Sequence, residues 1–370
     1  MAIISQIIVY IMVVFMVLGA IDRSIGNKFG LGEEWDNGFG SMGPLATGMG
    51  GIMVTADWIG KVLTPTVGKA FELFGGDPCM AGALILSIDT GGYPLAHAIQ
   101  PNFPDIANYS AIMVASMMGP TIAFAIPVCL GMMEEKDKKY LPYGILPGIV
   151  MIPFACIIGG ILAGFDLGMI IKNTIPVLIF AIIIAVGLKF ATKLMIKIFN
   201  GFSAFMTAYL SLFMALAIVQ ELTPIHVIDL LPLSDVWAVC GAIAMVLAGA
   251  YPMVKVITKV LANPLKKIGG LIGVNEVSVA GLLACSANSV PCYAMIKDMD
   301  PKGKVINIAF SCCAAFAIGD HLGFCAGVEP DLVFPMVAAK LLGGVLCVVA
   351  ACVFLKFSPD ILEEEETAAA

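Results

Sequence analysis

Long apolar runs separated by short polar stretches set the pattern of this chain. Nine runs, at residues 3–21, 42–60, 108–132, 141–165, 173–190, 201–222, 237–257, 304–327 and 332–356, approach or exceed the length a bilayer crossing needs, about 20 residues of helix. Two further runs, 79–99 and 277–297, carry polar and helix-breaking residues at their centres. These are Asp89-Thr90-Gly91-Gly92-Tyr93-Pro94 in the first and Ser286-Ala287-Asn288-Ser289-Val290-Pro291 in the second. Proline removes a backbone donor and glycine loosens a helix, so both runs are predicted to break midway. Broken backbone survives at membrane depth only where protein or a wet cavity surrounds it. The pattern therefore predicts an all-α polytopic membrane protein with about 9–11 membrane segments.

The lysines orient these segments, because cytoplasmic loops carry an excess of positive charge. Loop 132–140 holds Lys136, Lys138 and Lys139, and loop 190–200 holds Lys193 and Lys197; both are expected in the cytoplasm. Loops 100–107, 223–235 and 328–331 contain no Lys or Arg and are expected outside. Segment 277–297 is preceded by Lys255, Lys259, Lys266 and Lys267 and followed by Lys297, Lys302 and Lys304. Both flanks favour the cytoplasm, so this segment is expected to enter and leave on one side as a re-entrant hairpin.

The chain also repeats itself. Lys61-Val62-Leu63, with Lys69 and Gly75, returns as Lys259-Val260-Leu261, with Lys267 and Gly273. Ala81-Gly82, with Ser87, Asp89 and Thr90, returns as Ala280-Gly281, with Ser286, Asn288 and Ser289. Ala123-Phe124-Ala125-Ile126 returns as Ala315-Phe316-Ala317-Ile318, and Ile158-Gly159-Gly160 as Leu342-Gly343-Gly344. Related halves are a common build of secondary transporters. Giving segment 79–99 the hairpin shape of its partner leaves nine full crossings, an external N-terminus and a cytoplasmic C-terminus. The halves are then inverted in the membrane. Lys61 and Lys69 on the outer side run against this, and two fully spanning broken helices would make the repeats parallel instead. The expected organisation is a first membrane repeat at 1–172, a linking helix and cytoplasmic loop at 173–200, a second repeat at 201–357, and a disordered cytoplasmic tail at 358–370 containing Glu363 to Glu366. Met1 to Ala20 lacks a basic stretch and a clear cleavage site, which predicts a retained helix, not a removed signal peptide.

Composition agrees with a life in lipid. Charged residues are 13% and hydrophobic residues 60% of the chain, with a mean hydropathy of +0.98, against about 25% charged in soluble domains. The net charge of −7 resides mostly in loops and the tail and gives no sign of nucleic-acid binding. Only one arginine, Arg23, is present, so a bidentate arginine clamp for an anionic substrate is not expected. The 11 cysteines lie mostly in apolar runs and suggest neither a disulfide framework nor a metal site. No cofactor is expected.

Ionisable residues at membrane depth are costly, which makes them functional candidates. Asp89 lies at the tip of the first broken segment and its repeat mate Asn288 at the tip of the second. Where two such tips meet, one charged and one neutral, a small cation with hydrogen-bonding groups is a fitting ligand. Asp89 would be its counter-ion; Thr90, Ser286, Asn288 and Ser289 could bond a hydroxyl; Tyr93 and Phe124 could face an ammonium. The plainer reading of Asp89 is a helix cap or a lysine partner. Asp320 and His321 form a second polar centre, for which Asp320 orienting His321, a proton relay, gating, or an ion pair from Asp320 to Lys340 stands beside a purely structural role. In the repeat alignment the mates of Gly319, Asp320 and His321 are the apolar Pro127, Val128 and Cys129. His97 and His226 fall near segment ends and read as interfacial residues.

Several stretches together resemble the EutH family, the ethanolamine transporters of bacterial ethanolamine-utilisation operons. They are Ala20 to Arg23, Asp89 with Gly91-Gly92, Ser116 to Thr121, Gly249 to Met253, Gly303 to Asn307, Phe334-Pro335-Met336, and Lys340 with Gly343-Gly344. The most specific is Ala314 to Phe324. The departures are shorter external loops near 165–173 and 223–235, and Ser289 where the family pattern has Asn. The resemblance implies a multi-pass permease of the bacterial cytoplasmic membrane that imports ethanolamine, and the fold reading adds alternating access. A carrier or channel for another small amine or polar solute is the alternative. An intramembrane aspartyl protease is remote: it needs two close carboxylates sharing a proton, Ile318 replaces the glycine its motif wants, and the repeat pairs Asp89 with Asn288 instead of Asp320. The apolar surface leaves a homo-oligomer open, since lipid-facing and subunit-facing surfaces look alike.

Overall fold

Helices account for all the regular structure seen in the computed structural model, which describes residues 2–358 and 361, with side chains omitted over 261–271. In chain order we label α1 (Ala2–Ser24), α2 (Leu31–Gly40), α3 (Met42–Leu63), α4 (Gly92–Ile99), α5 (Tyr140–Ala163), α6 (Leu167–Phe190), α7 (Thr192–Leu222), α8 (Leu233–Ile272), α9 (Glu276–Ala287), α10 (Ser289–Met295), α11 (Pro301–Ala314), α12 (Asp320–Val328) and α13 (Val333–Lys356). Seven described helices are long and apolar enough to cross a membrane: α1, Pro104–Met132, α5, α6, α7, Leu233–Val260 within α8, and Pro330–Lys356 ending in α13. The run expected to cross at 42–60 forms α3, a helix of 22 residues that carries Asp57 and Lys61 and is not among these seven. The run 304–327 is not one helix: residues 315–319 separate α11 from α12. Of the tail expected at 358–370, only Ser358 and Ile361 lie within the described residues.

Both broken segments fold back as hairpins. Gly91, at φ 106°, makes a left-handed turn open to glycine, and beyond it α4 runs back along the incoming strand of chain. A Cβ on Gly82 would lie 2.8 Å from the Leu95 side chain, thirteen residues on, a proximity no continuous helix allows. The feet of this hairpin are tied together by Gln100, which donates to Asp77 at 2.5 Å. In the second hairpin Asn288 ends α9 in an extended conformation and caps α10 by accepting from Val290 N–H at 2.9 Å. Its feet are tied in the same manner: Asn275 N–H donates to Asp300 at 2.8 Å and its side-chain amide to the Asp298 carbonyl at 3.1 Å. Asn275 and Asp300 also cap α9 and α11, so helix starts and hairpin feet share the same side chains.

The hairpins stand at opposite ends of α5. Feet of the first lie beside the start of α6, which follows α5 after a short turn, and there Asp77 N–H donates to Asn173 at 2.7 Å. Feet of the second lie beside the loop before α5, where Lys304 of α11 meets Asp137 at 2.7 Å, both side chains buried. Each tip is received by a kink in a broken span. Pro104–Met132 loses regular helix at 115–117, and there the Ala115 carbonyl accepts from Ile88 N–H at 3.0 Å. In the other half, Phe316 and Ile318 N–H donate to the carbonyls of Cys285 and Ser286 at 3.1 and 2.9 Å. Backbone groups freed by one break are thereby satisfied by the other, which is what broken backbone at membrane depth requires.

This contact corrects the alignment drawn from sequence at 123–126 and 315–318. The residue pressed against a hairpin tip is Gly119 in one kink and Gly319 in the other, where a Cβ would fall 2.0 Å from the Leu86 carbonyl oxygen and 1.9 Å from that of Ala287. Asp320 and His321 thus stand opposite Pro120 and Thr121, not Val128 and Cys129. The halves also interleave: α5 packs against α11 and α13 through small residues, Gly148 touching Cys312 and Gly343 touching Ala155, a close approach typical of membrane helices.

Candidate functional site

The two tips and two kinks enclose a cavity of about 330 Å³. Asp89 and Thr90 reach it from the first tip, Asn288 from the second, Phe124 from the first broken span, and Phe316, Asp320 and His321 from the second kink and α12. Ser203 and Thr207 of α7 add hydroxyls to its wall. Asp320 also lines two larger cavities, of about 520 and 670 Å³, whose walls include Asn37 of α2 and Tyr251 of α8. The larger of these is bordered by Lys255 and Lys259, and Lys255 pairs with Glu34 at 3.1 Å.

Local chemistry fixes each group. Ser87 caps the short helical turn Ile88–Thr90 through a capping box with Thr90, whose hydroxyl accepts from Ser87 N–H at 3.1 Å. That turn holds Asp89 toward the cavity, its side chain 26% exposed. His321 is buried, with Nε2 3.4 Å from the Ser87 hydroxyl and 3.9 Å from Asp89 Oδ1. Its Nδ1 has no hydrogen-bond partner, so a doubly protonated ring would leave a buried N–H unsatisfied. The Tyr251 hydroxyl donates to Asp320 Oδ1. Phe316 adopts φ 61°, a strained value for a residue with a side chain. Its ring stands 5.7 Å from Phe124, edge to face, and 5.2 Å from His321. Among the described residues neither Asp89 nor Asp320 is paired with a Lys or Arg. The cavity thus combines two carboxylates, two phenyl rings, several hydroxyls and the Asn288 amide, a lining suited to a small hydrogen-bonding cation.

Not every residue predicted for the site faces it. Ser286 turns its hydroxyl to the Leu283 carbonyl at 2.7 Å. Ser289 is buried outside the cavity lining with its hydroxyl unbonded. Tyr93 points to the far side of its hairpin, donating to Glu329 at 3.0 Å, with its ring against Phe324. Lys340 is buried on α13 and donates to the Ser116 carbonyl at the first kink. It is not the partner of Asp320, whose hydrogen bond comes from Tyr251, and Asp320 does not orient His321, whose Nε2 faces Asp89 and Ser87. Tyr251, Phe316, Ser203 and Thr207 were not singled out from sequence. Tyr251 carried a signal, because a tyrosine inside an apolar helix needs a partner for its hydroxyl; Ser203 and Thr207 carried none, since membrane helices accommodate hydroxyls against their own carbonyls.

The chain resembles known proteins along nearly its full length. A protein of Listeria monocytogenes named "Probable ethanolamine permease EutH" is 46% identical over 346 residues, covering 93% of this chain and 92% of that protein. Proteins of the same name from Salmonella typhimurium and Escherichia coli are each 39% identical over 383 residues, covering 93% of this chain and 94% of each. No solved structure matches. The family described as "Ethanolamine utilisation protein, EutH" matches residues 4–354, and the chain, a multi-pass membrane protein, belongs to that family.

Proposed function

We propose that this chain is a permease carrying ethanolamine, as its ammonium form, into the cell across the bacterial cytoplasmic membrane by alternating access. The observation that carries the reading is a single cavity at the meeting point of two hairpin tips, with Asp89 and Asp320 on its wall and, among the described residues, neither paired with a Lys or Arg. Ethanolamine leaves water as a cation with one hydroxyl. Carboxylates replace the hydration of its ammonium, the rings of Phe124 and Phe316 can face its CH₂ and N–H surface, and Asn288 or Thr90 can bond the hydroxyl. The relatives' names point to the same substrate.

Alternating access is supported by the hairpins at opposite ends of α5, the arrangement that inverted repeats produce. By the lysine-derived topology the two larger cavities open to the cytoplasm, so the described arrangement is the inward-facing one. The test is uptake of labelled ethanolamine into proteoliposomes, with wild type beside Asp89→Asn and with or without an imposed pH gradient. Saturable uptake, competed by unlabelled ethanolamine and reduced about 10- to 100-fold in the variant, is expected from the loss of a charge-assisted bond. Non-saturable flux would favour a channel. Uptake unchanged in Asp89→Asn would remove that carboxylate from the site, and no uptake by folded wild type would set ethanolamine aside.

A further inference from the structure

Lys340 is a buried lysine at the first kink that the proposed binding does not use. Its side chain is 1% exposed, and its ammonium donates to the Ser116 carbonyl at the kink that receives the first hairpin tip. Ser116 directly follows Ala115, whose carbonyl accepts from Ile88 N–H next to Asp89, so this ammonium is held at the backbone that seats the tip carrying Asp89, and Lys340 makes no ion pair among the described residues. Holding the Ser116 carbonyl needs a donor but not a charge: a neutral amide would serve. Burying an ammonium is costly unless charge nearby offsets it.

Charges around the cavity can be counted. Asp89, Asp320 and His321 are its ionisable lining residues, and His321 is counted as neutral because a charged ring would bury an unpartnered Nδ1–H. The nearest vestibule charges are paired with one another, Glu34 with Lys255 at 3.1 Å and Asp36 with Arg23 at 2.7 Å. Lys259 lines the outermost cavity and not the inner one. With Asp89 and Asp320 ionised and Lys340 protonated, the inner site carries a single net negative charge.

We infer that Lys340 is a specificity-determining residue that fixes the charge of the empty site at minus one, so that one monovalent ammonium neutralises it and a divalent diamine does not. The inference rests on the proposed amine site and goes beyond it, because it says what the site rejects. Without Lys340 the two carboxylates match a diamine, one ammonium for each. Lys340 acts at a distance, through the field at Asp89, and need not touch the substrate.

The experiment compares propanolamine with trimethylenediamine, nearly equal in size, one carrying a hydroxyl where the other carries a second ammonium. Each competes against labelled ethanolamine in uptake, and each is also tested by thermal stabilisation of the purified protein, which reads binding without transport. Wild type should take the diamine at least about tenfold more weakly than propanolamine, the scale of one uncompensated charge in a partly buried site. In K340Q, which keeps a donor for Ser116, the diamine should gain about tenfold relative to propanolamine. In D320N/K340Q, with one carboxylate and no lysine, the wild-type preference should return. Equal binding of both ligands by wild type would overturn the inference without any variant. So would a monodisperse K340Q that keeps the wild-type ratio. Failure of wild type to take up ethanolamine would strike the permease reading alone, because the binding ratio remains measurable.

Discussion

At the scale of single residues, the site depends on groups that hold carboxylates as well as on the carboxylates themselves. Tyr251 donates to Asp320 from α8, while Asp320 begins α12, so this bond fixes one carboxylate against another helix. Removing it leaves Asp320 free to turn into the larger cavities it also lines. Tyr251→Phe should therefore raise the KM for ethanolamine about 10-fold, in line with a hydrogen bond to a charged group, and leave the maximal rate within a few-fold. Saturation curves measured on both proteins at equal reconstituted amount check this, and superimposable curves would end the positioning role. The sequence disclosed Asp89, Asn288 and Asp320 because charged or polar residues in apolar runs stand out locally. It did not disclose Tyr251 as the partner of Asp320, because a bond between residues 69 positions apart leaves no mark in either local pattern.

Among the elements, each hairpin tip and each kink exist by virtue of the other. Gly119 and Gly319 are where backbone meets backbone, and a methyl group at either would sit about two ångströms from a carbonyl oxygen of the facing tip, well inside van der Waals contact. Gly119→Ala and Gly319→Ala should each lower the thermal midpoint and the monodisperse yield sharply, by at least the ~1–3 kcal/mol of ordinary overpacking. Gly131→Ala is the matched control: nothing lies within 4 Å of its added Cβ, and helix propensity favours alanine. Equal behaviour of all three would mean that tip and kink are not in contact. Breaks in both hairpins were legible, since Gly91, Gly92, Pro94 and Pro291 interrupt apolar runs. The break at 315–319 was not, because Ala315-Phe316-Ala317-Ile318 reads as continuous helix; contact with the facing hairpin overrides local propensity there. The same contact explains why matching short apolar words misaligned the repeats in this region. Similar words recur in any apolar chain, whereas the glycine demanded by backbone contact marks the equivalent positions.

At the scale of the whole molecule, the two hairpins are expected to enter from opposite faces of the membrane. Their feet lie at opposite ends of α5, and α5 is a 24-residue helix, long enough at about 1.5 Å per residue to cross the hydrocarbon core. Asn102, just beyond the first hairpin, and Lys297, in the last turn of the second, are both exposed. Ten of the eleven native cysteines are buried and Cys352 is half-buried, so a new exposed thiol should label above a low background. Asn102→Cys should react with a membrane-impermeant maleimide in right-side-out vesicles and resist it in inside-out vesicles; Lys297→Cys should do the reverse. If both positions label from one face, the hairpins share a side, the repeats are parallel, and alternation of one cavity between two symmetry-related tips loses its structural basis. If they label from opposite faces, the lysine pattern that oriented the loops and the hydrogen bonds that tie the hairpin feet describe the same inverted pair.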